Sequence, residues 1–251
     1  MGRNDKKGRK PSISKGEWAP IREGRDLAIK ITNKVKIALD ALQLQQNFSR
    51  GSQLNRDRDP RTASRPDKKH DKIFSLLHTF FKIKPPDPHN IANLRHAFGV
   101  INHRLNSVQP KLVRLVTNAV ANSDDNTGGD TFGYVLPGEK IIYLNEDYFT
   151  TTFHKNVTGV QLRKPQTVET RAEVVMHETI HLCYGADGVI HRELRYNSKF
   201  NLDAYNCKTG YPQIKSTLQA MNDAYVWAQF AMCLYKHIDT EAKKEKNKTR
   251  R

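Results

Sequence analysis

The chain has 251 residues and carries 42 Lys and Arg against 26 Asp and Glu, a formal charge of +16. This excess lies at the ends: residues 1–72 hold 19 basic against 9 acidic residues, residues 241–251 hold 6 against 2, and residues 73–240 keep a net +2. A nearly neutral middle argues against specific nucleic-acid binding there, and the absence of an 18-residue apolar run predicts no transmembrane segment.

The first part of the chain predicts several helices before any strand. Apolar residues recur at helical spacing from Asp26 to Gln46, and a polar stretch with Pro60 and Pro66 follows over 47–69. We therefore interpret residues 1–69 as a basic N-terminal extension with one helix and a polar linker. Further helices are predicted at Ile73–Phe81, Ile91–Leu105 and Leu112–Ala121.

A short hairpin is predicted after these helices. Residues 123–130 have the composition of a loop, and two β-prone runs follow at Thr131–Leu136 and Lys140–Leu144, with Pro137-Gly138 between them as a turn. An extended peptide could pair with the free edge of such a strand.

The most informative pattern is His177-Glu178-Thr179-Ile180-His181. Thr170 and Glu173 have the spacing of a capping box, which predicts a helix start, and Gly185 predicts its end. The helix between them is apolar on most sides, as expected of a buried helix; its apolar residues are Ala172, Val174, Val175, Met176, Ile180 and Leu182.

Histidines four residues apart lie on one face of a helix, so His177 and His181 can bind one Zn²⁺. Glu178 is offset from them and can serve as the general base toward a water that the metal activates. A structural alternative is a pair of hydrogen-bonded core histidines. A catalytic zinc site also needs a third protein ligand, for which Asp187, His191 and Glu193 qualify chemically.

The segments around this pattern resemble the aspzincin metalloproteases, the relatives of deuterolysin and peptidyl-lysine endopeptidase. The resemblance covers roughly residues 130–232, and the segments that carry it are Ile141–Leu144 with Phe149, Arg171–His181, Asp203–Cys207 and Ala220–Ala228. It implies one Zn²⁺ per chain, held by His177, His181 and Asp203, with Tyr205 stabilising the oxyanion. The chain departs from the family where Phe200-Asn201 replaces Gly-Thr and where Tyr205 follows Asp203 by two residues instead of three, which leaves Glu193 and His191 as alternatives.

Together these features predict an α+β, mostly helical fold. A zincin-like metallopeptidase domain is expected over residues 70–240, with a short sheet and a buried H-E-x-x-H helix, followed by a basic tail at 241–251. The predicted function is a zinc-dependent endopeptidase, secreted as a bacterial effector or toxin. The alternative is a basic protein that binds nucleic acid or an anionic surface and has a structural or inactive zinc site.

Partners and location follow from this prediction. The substrate would be a protein or peptide, the chain a monomer, and its regulator a cognate inhibitor or immunity protein. Residues 1–24 lack the apolar core of a signal peptide, so we expect the chain in the producer's cytoplasm or exported by a non-classical route. Cys183, Cys207 and Cys233 are expected as three buried thiols; a Cys183–Cys207 bridge would need an oxidising destination.

Overall fold

The computed structural model describes residues 9–10, 12–56, 68–84, 87–125, 132–136, 138–154, 161–184, 207–208, 210 and 214–249. Its helices are α1 (Lys15–Arg56), α2 (Lys68–Phe81), α3 (Pro88–Ser107), α4 (Asn118–Asp125), α5 (Val168–Tyr184), α6 (Thr217–Met221) and α7 (Ala224–Lys248). Its strands are β1 (Arg9–Lys10), β2 (Val113–Val116), β3 (Gly133–Val135), β4 (Ile142–Leu144), β5 (Thr150–His154) and β6 (Gln161–Pro165). The prediction of a mostly helical α+β protein with short sheets is confirmed.

Backbone contacts divide the chain into two compact units. The first comprises residues 1–30 and 101–202, and the second comprises residues 31–100 and 203–251. The predicted domain boundaries came from the distribution of charge along the sequence and gave the ranges 1–69, 70–240 and 241–251. The two units are defined instead by contacts in space. Helices α1 and α3 each supply residues to both units.

The first unit contains a four-stranded sheet in the order β1-β2-β4-β3. Strand β4 pairs in parallel with β2 and antiparallel with β3, with Gly133 opposite Leu144 and Val135 opposite Ile142. The Glu139 N–H donates to the Leu136 carbonyl over 3.0 Å, and Gly138 has a φ of +77°, which a glycine adopts without a steric penalty. The predicted hairpin is therefore confirmed, and among the strands that the structure describes β3 lies at the edge of this sheet.

The predicted helix over Leu112–Ala121 is wrong. A short 3-10 turn at Pro110–Leu112 leads into β2, and helix α4 begins only at Asn118. Val113, Leu115 and Val116 are buried. From the sequence alone, such a short, mostly apolar segment is compatible with either a strand or a helix, and its pairing with β4 makes it a strand. The antiparallel pair β5 and β6 was not predicted, although Thr150-Thr151-Thr152 is a β-branched run that favours a strand.

Helix α1 is much longer than predicted. Ser14 Oγ accepts a hydrogen bond from the Glu17 N–H (3.2 Å), while the Glu17 carboxylate accepts one from the Ser14 N–H (3.0 Å), and this capping box starts the helix. The helix then continues to Arg56. Residues 47–56, which were predicted to belong to a linker, are therefore helical. Five large aliphatic side chains of α1 have no exposed surface: Ile21, Ile31, Val35, Leu39 and Leu42. Helix α1, which makes up most of the described part of the predicted N-terminal extension, therefore contributes to the buried core.

The second unit is helical, with an aromatic core. The rings of Phe81 and Phe230 lie 5.0 Å apart, those of Phe81 and Trp227 lie 5.6 Å apart, and Phe98 lies 5.5 Å from Trp227. Asp223 caps α7 by accepting a hydrogen bond from the Val226 N–H over 3.1 Å. Among the helices described, none is long and apolar enough to cross a membrane.

The cysteine predictions are wrong. Cys207 and Cys233 form a disulfide across 26 residues, and Cys183 is the free thiol. Spacing in the sequence does not show which cysteines meet, because Cys233 lies on α7 and approaches Cys207 only in the folded second unit. Burial raises the pKa of the Cys183 thiol to about 11, so this side chain stays protonated at neutral pH.

We expect the Cys207→Ser/Cys233→Ser variant to be less stable than the oxidised parent. A loop of 26 residues corresponds to a loss of about 3.5 kcal/mol in the free energy of unfolding, since the open chain regains conformational entropy when it unfolds. Urea unfolding of both proteins measures the difference. Cys183→Ala is the matched control, and an equal loss in that variant would contradict the assignment.

Candidate metal centre

Helix α5 begins earlier than the predicted capping box. Thr167 caps it, because Thr167 Oγ1 accepts a hydrogen bond from the Thr170 N–H over 3.1 Å. The chain is already fixed at this point, since the Gln166 N–H donates to the Phe149 carbonyl over 2.9 Å. Thr170 therefore lies inside the helix and Glu173 is buried. The prediction of a buried H-E-x-x-H helix is confirmed.

Tyr148 and Arg171 fix the first turns of α5 against α1. The Arg171 guanidinium donates to the Glu23 carboxylate over 3.0 Å. A Cβ built on Gly24 would lie 2.9 Å from both Arg171 Cβ and the Tyr148 hydroxyl, so only glycine allows this approach. Burial raises the pKa of Tyr148 well above its usual range. The helix that carries the histidines is thus held at its N-terminal end by close packing with α1.

The two histidines meet one turn apart on α5. His177 Nε2 and His181 Nε2 are 2.9 Å apart, and their rings are nearly perpendicular, with an interplanar angle of 81°. Glu178 Oε1 lies 4.0 Å from His177 Nε2. His177 is 5% exposed and Glu178 is 3% exposed. Three polar side chains that could bind a metal therefore converge on one part of α5, two of them buried and His181 partly buried.

The donor set fits a metal ion. One potential ligand atom from each of His177, Glu178 and His181 lies within 4.8 Å of the other two. Two nitrogens that each lie about 2.05 Å from a tetrahedral Zn²⁺ are about 3.3 Å apart, and small side-chain rotations cover the difference of about 0.4 Å from the observed separation. The same contact also allows one imidazole to donate its proton to the other, and a cation would replace that shared proton. The buried group can therefore hold a metal ion.

Strand β3 passes directly beside Glu178. A Cβ built on Gly133 would lie 3.3 Å from Glu178 Cγ, 2.9 Å from Leu144 Cδ2 and 3.0 Å from the Tyr143 carbonyl oxygen. Gly133 was not among the predicted site residues. An isolated glycine in a β-prone run indicates a close backbone approach, so the sequence did contain a signal for it.

The structure brings together three of the five predicted site residues. Asp203 and Tyr205 lie outside the described residues, as do the alternative third ligands Asp187, His191 and Glu193. Their roles stay predictions from the sequence. The described part of the chain thus supplies two histidines that could bind a metal ion, an adjacent carboxylate and a neighbouring outer strand.

No protein-family model, no curated protein and no solved structure matches this chain. The aspzincin resemblance accordingly stays an expectation from the sequence motifs.

Proposed function

We propose that this protein is a zinc-dependent endopeptidase of the zincin type. The observation that carries the proposal is the pair of imidazoles 2.9 Å apart, of which His177 is buried and His181 is partly buried, with the Glu178 carboxylate 4.0 Å from His177 Nε2. Two neutral imidazoles are typical zinc ligands, and a carboxylate beside them is typical of metal-assisted hydrolysis.

Each residue then has a distinct chemical role. His177 and His181 would hold the ion, which when bound supplies Lewis acidity toward the peptide carbonyl and lowers the pKa of water. Glu178 accepts a proton from the attacking water while the water oxygen adds to the carbonyl carbon of the peptide. When the C–N bond breaks, Glu178 returns that proton to the leaving amine, so the carboxylate is regenerated.

The outer strand suggests how the substrate is held. Strand β3 pairs with β4 on one side and is the last strand in the order of its sheet. An extended peptide could add to its other side through main-chain hydrogen bonds, with a carbonyl group near Glu178. This mode of binding favours unfolded or extended segments of protein substrates.

The third ligand in this proposal is Asp203, with Tyr205 stabilising the oxyanion, as the aspzincin resemblance implies. Glu193 and His191 are the alternatives. Zinc analysis of Asp203→Ala, Glu193→Ala and His191→Ala distinguishes them, since loss of the true third ligand lowers zinc affinity most.

The Cys207–Cys233 disulfide supports a site of action outside a reducing cytoplasm. We therefore propose that the protein is exported and acts as a bacterial effector or toxin, with a cognate inhibitor protecting the producer. An oxidised and a reduced sample, compared for thermal stability, would show whether the bond is needed for the folded state.

Metal removal tests the proposed function. We expect the purified protein to hydrolyse unfolded casein, to lose this activity after dialysis against dipicolinic acid, and to regain it when one equivalent of Zn²⁺ is added. A serine-protease inhibitor should leave the activity unchanged. Hydrolysis that persists in the zinc-free protein would contradict the proposal.

A further inference from the structure

The contact between β3 and α5 at Gly133 is unusually close. The three atoms nearest to a Cβ built on Gly133 belong to Leu144 and Tyr143 of strand β4 and to the Glu178 side chain. Neither histidine provides any of the three nearest atoms. A side chain added at position 133 would therefore contact Glu178 more closely than it would contact His177 or His181.

We propose that Gly133 is a positioning residue that fixes the Glu178 carboxylate beside the metal site. This inference rests on the proposed function. Because Gly133 has no side chain, β3 can lie close to the Glu178 methylene groups. The strand then restricts the rotamers that the Glu178 carboxylate can adopt.

An alanine at this position would press on Leu144 and on Glu178. Its methyl group would lie 2.9 Å from Leu144 Cδ2 and 3.0 Å from the Tyr143 carbonyl oxygen, both on the paired strand β4. Leu144 has no exposed surface and Glu178 is only 3% exposed, so neither side chain can turn away into solvent. The Glu178 side chain, whose Cγ is 3.3 Å away, must then give by a few tenths of an ångström, and this shift moves its carboxylate, whereas neither His177 nor His181 is among the nearest neighbours.

The test begins with Gly133→Ala beside the control Gly99→Ala, where the added methyl would meet only Lys36 Cε at 4.0 Å. We expect Gly133→Ala to keep one zinc per chain while kcat falls about 100-fold, because a misplaced general base loses its alignment with the attacking water. The ¹³Cδ resonance of Glu178, assigned by its loss in Glu178→Gln, should shift in Gly133→Ala and stay unchanged in Gly99→Ala. Unchanged kcat, an unshifted resonance or loss of zinc would each overturn the proposal.

A double-mutant cycle separates positioning from general packing. In a Glu178→Asp background the carboxylate is already withdrawn, so Gly133→Ala should lower kcat by less than about threefold. An equal fold-loss in both backgrounds would show that Gly133 acts independently of Glu178.

Folding of the variant is controlled separately. If Gly133→Ala does not fold, the same comparison is made in Leu144→Val, which lacks the Cδ atom that the new methyl would strike first. Failure to fold there as well would assign Gly133 to packing alone and overturn the proposal. A parent protein that binds zinc but cleaves nothing refutes the proposed function instead, and the Glu178 resonance still tests the contact.

Discussion

The Glu178→Gln variant is expected to keep its zinc and to lose peptide hydrolysis by about 10³-fold, since a general base typically contributes 10²–10⁴-fold. Glutamine has nearly the same shape as glutamate, so the packing against Gly133 is preserved. Its amide cannot accept the proton from water. The measurement is kcat on casein together with zinc content for both proteins.

The matched control for this substitution is Glu169→Gln. Glu169 lies in the first turn of the same helix but is exposed, so its replacement should leave kcat unchanged. If Glu178→Gln retained the parent's activity, Glu178 would not be the general base. If it lost zinc as well as activity, Glu178 would instead be a ligand.

A chain that lacks residues 1–69 is expected not to fold. The deletion removes α1, whose five large, fully buried aliphatic side chains include Ile21, Val35 and Leu42. Each such burial contributes about 1.5–3 kcal/mol, so the loss of roughly 7–15 kcal/mol is comparable with the whole stability of a typical domain. Circular dichroism should show little helix and no cooperative thermal transition.

A shorter deletion provides the control. Removing residues 1–8 leaves β1 and α1 intact, and this variant should melt cooperatively near the temperature of the parent. A role of the basic N-terminus in export can then be tested without unfolding the protein. A folded, zinc-binding chain that starts at His70 would contradict the place of α1 in the core.

The sequence predicted helix α5 and the β3–β4 hairpin well because both depend on local signals. The spacing of His177 and His181 fixes their common face once α5 is helical. Gly138 makes the tight turn between two β-prone runs. The capping residue was displaced from Thr170 to Thr167 because the preceding strand β6 fixes where the chain turns.

Features that depend on distant partners were not predictable in the same way. Val113–Val116 forms a strand because β4 lies beside it, and a four-residue segment with three apolar residues does not identify that partner. The Cys207–Cys233 bridge depends on the path of α7. Helix α1 extends beyond its predicted ends because a capping box precedes it and its mostly polar residues after Gln46 still continue the helix.

The proposed binding of a metal ion by the His177–His181 pair is tested most directly by the zinc content per chain after dialysis. Mass spectrometry measures this content for the parent and for His177→Ala/His181→Ala. We predict one zinc per parent chain and none in the variant, with both chains folded. A parent without zinc, or a variant that retains it, would contradict this account of the site.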